Sequence, residues 1–158
     1  MTDNKKLLHA KEAYDTLCTT INNIGWKCDR YDDELKIMLG VNGDDLPMGF
    51  LIIVDADRQL IRILSLLPFQ MNPDKRVEGA IATCVINYAI PDGCFTFDIE
   101  EGHIMFKATS SFKESLVGEE LFKYLISLAC FTVDRFNDQL EKLNNGDISI
   151  TDFIEANT

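Results

Sequence analysis

Basic residues are few. Fifteen lysines and arginines stand against 26 aspartates and glutamates, a formal net charge of −11. Nucleic-acid affinity rests on clustered Lys and Arg, so a phosphate backbone would be repelled. An anionic membrane surface is disfavoured on the same ground. The acidic balance suits a basic or amphipathic protein partner, or solubility alone. Long apolar runs are missing too: stretches such as Phe50–Val54 are far too short for a membrane span. The first fifteen residues hold a basic pair but no apolar segment after it. No signal peptide is read, and a cytoplasmic protein is expected.

Chemistry-bearing residues are sparse. The five cysteines, Cys18, Cys28, Cys84, Cys94 and Cys130, are odd in number and form no CxxC pair. A zinc site or disulfide framework would show tighter spacing, so reduced, buried thiols are expected. The two histidines are His9 and His103. No GxSxG, HExxH, Walker A loop or GxGxxG is present. "DADR" at 55–58 has an Asp-x-Asp look but lacks the Gly and terminal Glu of an EF-hand, and turn chemistry explains it. No nucleophile, base and orienting group can be assembled, so no enzyme, cofactor or metal is expected.

No repeat or Pro/Gly/Ser-rich linker divides the chain. An apolar fraction of 46% supports a core, and a chain this long buries roughly 68–70% of its unfolded surface. One domain over 1–146 is expected, followed by an acidic tail over 147–158 that could form a short helix capped by Thr151.

Leu7, Ala10, Tyr14, Leu17, Ile21 and Ile24 mark one face of a helix over 5–24, stopped by Gly25. In "WKCDRYDDELKIMLGV" a tight turn at Asp32-Asp33 would pair Tyr31 with Glu34, Asp29 with Lys36, Cys28 with Ile37 and Trp26 with Leu39. The strands "FLIIV" (50–54) and "LIRIL" (60–64) nearly lose the period-two alternation, which marks burial on both faces. Something must therefore cover the second face, from this chain or another. In "QMNPDKRVEGAIATCVINYAIPDG" Asn72 reads as the N-cap and Pro73 as the first helical residue. Val77, Ile81, Cys84, Val85 and Tyr88 read as its inner stripe. A long helix over about 117–143 carries Leu121, Leu125, Leu128, Ala129, Val133, Phe136, Leu140 and Leu143.

"CFTFDIEEGHIMF" reads as a hairpin. A two-residue turn at Glu101-Gly102 sets Ile99 against Ile104, Phe97 against Phe106 and Phe95 against Ala108, one apolar face. Cys94 and His103 then stand six strand residues apart, about 20 Å at ~3.3 Å per residue, too far to share a metal. Asp98, Glu100 and His103 share the other face. They form either a cross-strand ion pair at a turn or a three-ligand metal site, and without a supporting motif the ion pair is the plainer reading. The order α-β-β-β-β-α-β-β-α gives an α+β fold, an antiparallel sheet packed with helices.

Over residues 20–146 this order, with "NPDKRVEGAIATCVINYAIPDGCFTFDIEEGHIMFKATSSF" at its centre, resembles the YbjN-like family, described as bacterial sensory transduction regulators. Its marks are the Pro-Asp-Lys-Arg helix start, the Asn late in that helix, and Gly-x-Phe-x-Phe-Asp before a turn and returning strand. Val117 departs from the pattern, standing where a helix-capping Ser or Thr is expected. The resemblance implies a fold similar to type III secretion chaperones, which are small, acidic, often dimeric proteins that bind extended segments of partners. It further implies a non-enzymatic, cytoplasmic protein-binding role as a regulator or chaperone-like adaptor.

On this reading Leu51, Ile53, Ile61 and Ile63 help bury a second sheet face against a protein partner or second subunit. Ile81, Val85 and Tyr88 would contribute to a homodimer. An ordinary two-sided core is the plainer alternative for these apolar runs. A metal- or small-molecule-binding sensor, or an enzyme, on the Asp98/Glu100/His103 face is the other functional reading.

Overall fold

The computed structural model describes residues 2–158. Helix α1 (Asp3–Ile24) is followed by strands β1 (Asp29–Tyr31), β2 (Lys36–Asn42), β3 (Pro47–Asp55) and β4 (Leu60–Gln70). Helix α2 (Arg76–Ala89), strands β5 (Cys94–Phe97) and β6 (His103–Ser111), and helices α3 (Glu119–Asn145) and α4 (Ile150–Asn157) complete it. The strands make one antiparallel sheet in the order β1-β2-β3-β4-β6-β5. The expected element order holds, with α4 added at the end.

Helices α1, α2 and α3 pack on one face of the sheet, and α4 packs on α2 and α3. Ile37, Phe50, Ile52, Ile61, Ile63, Phe95 and Phe106 point into this layer and are almost fully buried. They meet Leu17 and Ile21 of α1 and Phe122, Phe136 and Leu140 of α3. Among the described residues no helix packs on the opposite face. The molecule therefore has two layers where the doubly apolar strands call for three.

Both hairpin registers differ from the sequence reading by two residues. Asp29 faces Met38 and Tyr31 faces Lys36, because the turn takes four residues instead of two. Leu35 closes it with a left-handed φ of 52°. That conformation costs a non-glycine residue about 1 kcal/mol, and burying the leucine side chain offsets it. In the second hairpin Phe95 faces Phe106 and Phe97 faces Ile104. Here the loop spans 98–102, and Asp98 organises it by accepting from the Glu100 and Glu101 amides at 3.0 and 3.1 Å. Gly102 sits at φ 80°, with its oxygen accepting from Met71 N at 2.8 Å. A Cβ there would lie 2.5 Å from Met71 O, so only glycine closes this corner. A shift of two leaves each side chain on its expected face. Ile99 does move: it joins the loop and becomes exposed.

The stripe expected to face inward on α2 points outward. Gly79, Ala82, Thr83 and Ile86 are the buried residues, while Val77, Ile81, Cys84 and Tyr88 are exposed. Size decides this. A Cβ on Gly79 would already stand 3.0–3.2 Å from Met71 and Phe97, so α2 lies too close to β5 for large side chains. Asn72 does not cap α2 with its side chain but bonds Asn144 of α3. The last segment is no loose tail: Phe153 of α4 is fully buried. Ser149, not Thr151, caps it in a reciprocal pair with Asp152.

Candidate functional site

Alternation places one set of residues from each strand on the uncovered face. Met38, Leu51, Ile53, Leu64, Leu66 and Met105 stand there, joined by Lys36, Arg62, Lys107, Asp29 and Asp55. Met38 is 46% and Leu66 53% exposed, and Leu51, Ile53 and Leu64 are only partly covered by one another. Monomeric proteins rarely leave a contiguous apolar face in water unless something binds it.

The face is not flat. Gly40 and Gly49 pair across β2 and β3 with both glycines exposed. They leave a hollow of about 500 Å³, walled by Met38, Leu51, Leu64, Leu66 and Met105, with Asp29 at its rim. A second concavity lies beyond Leu66 and Met105, lined by Thr96, Phe97, Ile99 and His103. Exposed Ile99, lost from the core face of its hairpin, extends the apolar surface here.

The charges are segregated. Three basic and two acidic residues occupy the open face, so the acidic excess sits on the helices and turns. Arg62 pairs with Asp55 at 3.4 Å and Lys36 with Glu34 at 2.5 Å. Neither Asp29 nor Lys107 joins any ion pair among the described residues.

Of the residues singled out in sequence, Leu51 and Ile53 lie on this face. Ile61 and Ile63 do not: they are 0% and 1% exposed and point to the helices, their strand's open side being Arg62, Leu64 and Leu66. Sequence reasoning missed Met38, Leu64, Leu66 and Met105. The signal available was the pairing of Leu51 with Leu64, fixed by the length of the Asp55–Leu60 connection. On α2, Tyr88 is 92% and Ile81 41% exposed, with Val85 half-buried at the flank. Together with Val77 and Cys84 they make an outward apolar stripe without charge. Cys84 is the exposed thiol among four half-buried ones. Burial, with Asp134 nearby, holds the Cys130 thiol up at about 11.

The Asp98/Glu100/His103 group does not converge. The Asp98 carboxylate is taken by the loop amides, and His103 Nε2 pairs with the Gln70 side-chain amide at 2.6 Å. Cys94 faces Lys107, four strand residues from His103 and not the six expected. Among the described residues no cluster of three or more His, Cys, Asp or Glu is placed to hold a metal ion. Among the described residues no helix is long and apolar enough to cross a membrane.

No protein-family model matches the chain, and no curated protein matches it in sequence. Solved structures do match in fold. YbjN from E. coli, described as a candidate transcription regulator, is 13% identical with a TM-score of 0.60, over 80% of this chain and 92% of that one. A chain of the HopA1–SchA chaperone–effector complex is 12% identical with a TM-score of 0.53, over 84% and 95%. A chain of the ExsC–ExsE complex is 16% identical, also with a TM-score of 0.53, over 80% and 92%. The chain has the YbjN-like, type III secretion chaperone-like fold expected from its sequence.

Proposed function

We propose that this chain is a non-enzymatic protein-binding module, a regulator or chaperone-like adaptor of the cytoplasm. It holds a segment of a partner protein on the open face of its sheet. One observation carries the reading: Met38, Leu51, Leu64, Leu66 and Met105 form an apolar face that no element among the described residues covers. Leaving roughly five such side chains in water forgoes about 1.5–3 kcal/mol for each that a partner would bury fully. Two of the structures with this fold are complexes, one of them a chaperone–effector complex, which supports the same reading.

The outer face of α2 supports a homodimer. Residues 79–91 carry no charge at all. A molecule of net charge −11 can approach its own copy most cheaply along such a surface.

A photo-crosslinking residue at position 64, introduced in the native cell, is expected to give a discrete adduct with another protein. The same residue at position 142, on the helical side, is expected to give none. Equal adducts at both positions, or an adduct at 64 that survives Leu51→Asp, would refute the docking role. For the dimer, sedimentation equilibrium is expected to show two chains for the native protein and one for Tyr88→Asp. A monomeric native protein at micromolar concentration removes the α2 interface.

A further inference from the structure

The sheet register lines up one row of side chains across the open face. Asp29 on β1, Met38 on β2, Leu51 on β3, Leu64 on β4 and Lys107 on β6 face one another rung by rung. Three apolar rungs are flanked by a negative residue on one side and a positive one on the other, with Cys94 of edge strand β5 beyond Lys107. Both flanking charges lack an ion-pair partner within the described residues, unlike Lys36 and Arg62 on the same face. The neighbouring row, Tyr31–Lys36–Ile53–Arg62–Thr109, carries Lys36, Arg62 and Thr109 among its five positions. The apolar strip is therefore bounded on that side and runs across the strands, not along them. On its other side lies the hollow over Gly40 and Gly49.

Spacing sets the length of what fits. Strands lie about 4.8 Å apart, so Asp29 and Lys107 are separated by four steps, about 19 Å. An extended chain advances about 3.3 Å per residue, so about six residues span that distance. Six is even, and side chains of an extended segment alternate. Both charged ends and the two intervening apolar side chains of such a segment therefore face the sheet together.

Resting on the docking role above, we propose that the open face selects an extended, bipolar segment of its partner. The segment lies across the strands with a basic residue over Asp29, an acidic residue over Lys107, and large apolar side chains between. One of these enters the hollow over Gly40 and Gly49. Overall charge alone favours a basic partner; the row instead asks for both signs at a fixed separation.

The test uses the purified full chain and three fluorescent peptides in anisotropy titrations. Each has a charged residue, serines alternating with leucine and phenylalanine, and a second charged residue six positions on. The end pairs are Lys/Glu, Lys/Lys and Glu/Glu. The native protein is expected to prefer Lys/Glu by about two- to fivefold per matched charge, the range of exposed ion pairs. Lys107→Glu is expected to move the preference to Lys/Lys, and Asp29→Lys to Glu/Glu. Gly49→Val is expected to weaken all three peptides about tenfold with its fold intact, because a Cβ at that position meets nothing within 4 Å and valine suits an extended strand. An unchanged ranking in both charge variants overturns the bipolar reading, even where Leu51→Asp abolishes binding and so keeps the docking face. Absence of binding by all three peptides also overturns it, while the crosslinking result stands or falls by itself.

Discussion

Asn87 of α2 holds Phe95 of β5 by both of its backbone polar groups. Phe95 N–H donates to Asn87 Oδ1 at 2.7 Å, and Asn87 Nδ2 donates to Phe95 O at 2.9 Å. The side-chain amide stands where the peptide of another strand would pair. β5 is an edge strand, and open edges invite pairing with other chains; this one is closed at its centre. Asn87→Ala is expected to lower stability by about 1–2 kcal/mol, the cost of leaving a donor and acceptor unmet. Hydrogen exchange should show the loss of protection at Phe95 N–H while the β4–β6 ladder stays protected.

A second amide ties the C-terminal end of α3 to the sheet. Asn144 Oδ1 accepts from Asn72 N–H at 2.7 Å and Asn144 Nδ2 donates to Gln70 O at 3.0 Å. Asn144→Asp keeps the acceptor and loses the donor, setting a carboxylate against a carbonyl. It is expected to cost more than Asn144→Ala, itself about 1–3 kcal/mol, as read from urea midpoints.

Removing the last ten residues is expected to destabilise the domain. Phe153 is fully buried, and deleting a buried Phe side chain costs about 3–5 kcal/mol. Phe153→Ala should reproduce most of the loss of the truncation in thermal melts, whereas Glu155→Ala, on the exposed side, should leave the melting temperature within a degree or two.

Alkaline pH is expected to destabilise the native state. Burial, then Asp134, raises the Cys130 thiol from 9.0 to about 11, and burial also raises Cys18 and Tyr14. Between the unfolded and folded values the native state binds more protons than the unfolded one, so stability falls as pH rises. For Cys130 the contribution is intact below about pH 9 and lost towards 11. Cys130→Ala should flatten that part of a stability–pH curve. The acid side has the opposite sign: Tyr14 and Arg30 hold Asp32 down, and Ser149 holds Asp152 down. Stability from these is lost as pH falls through their depressed folded values.

Thiol reactivity gives a separate check on α2. Cys84 is the exposed cysteine and is expected to react first with iodoacetamide, with Cys130 slowest at neutral pH because the thiolate is the nucleophile. If α2 forms the dimer, labelling of Cys84 should slow as protein concentration rises, and Tyr88→Asp should remove that dependence.

Several elements were legible because they depend on local periodicity and punctuation. The stripe from Ala10 to Ile21 and Gly25 define α1, and the run to Leu143 and Gly146 defines α3. The family resemblance rested on the same order of elements. The two registers were misread because turn length depends on what the loop can bury or bond, as Leu35 and Asp98 do. The α2 stripe was misread because periodicity gives two candidate faces there. The sequence favours the bulkier one, and only the close approach of Met71 and Phe97 to Gly79 shows that the face of Gly79, Ala82, Thr83 and Ile86 is the buried one.

The chain by itself determined that β3 and β4 are apolar on both sides and that its charge is strongly acidic. Those are properties of composition and of side chains one or two residues apart. Tertiary structure decided which side of those strands stays open, because helices α1, α2 and α3 all cross to the same face. It also decided that Ile61 and Ile63 belong to the core while Leu64, Leu66 and Met105 face outward. And it brought Asp29 and Lys107, 78 residues apart by their numbers, to the two sides of one apolar strip, since only strand pairing fixes which distant side chains share a rung.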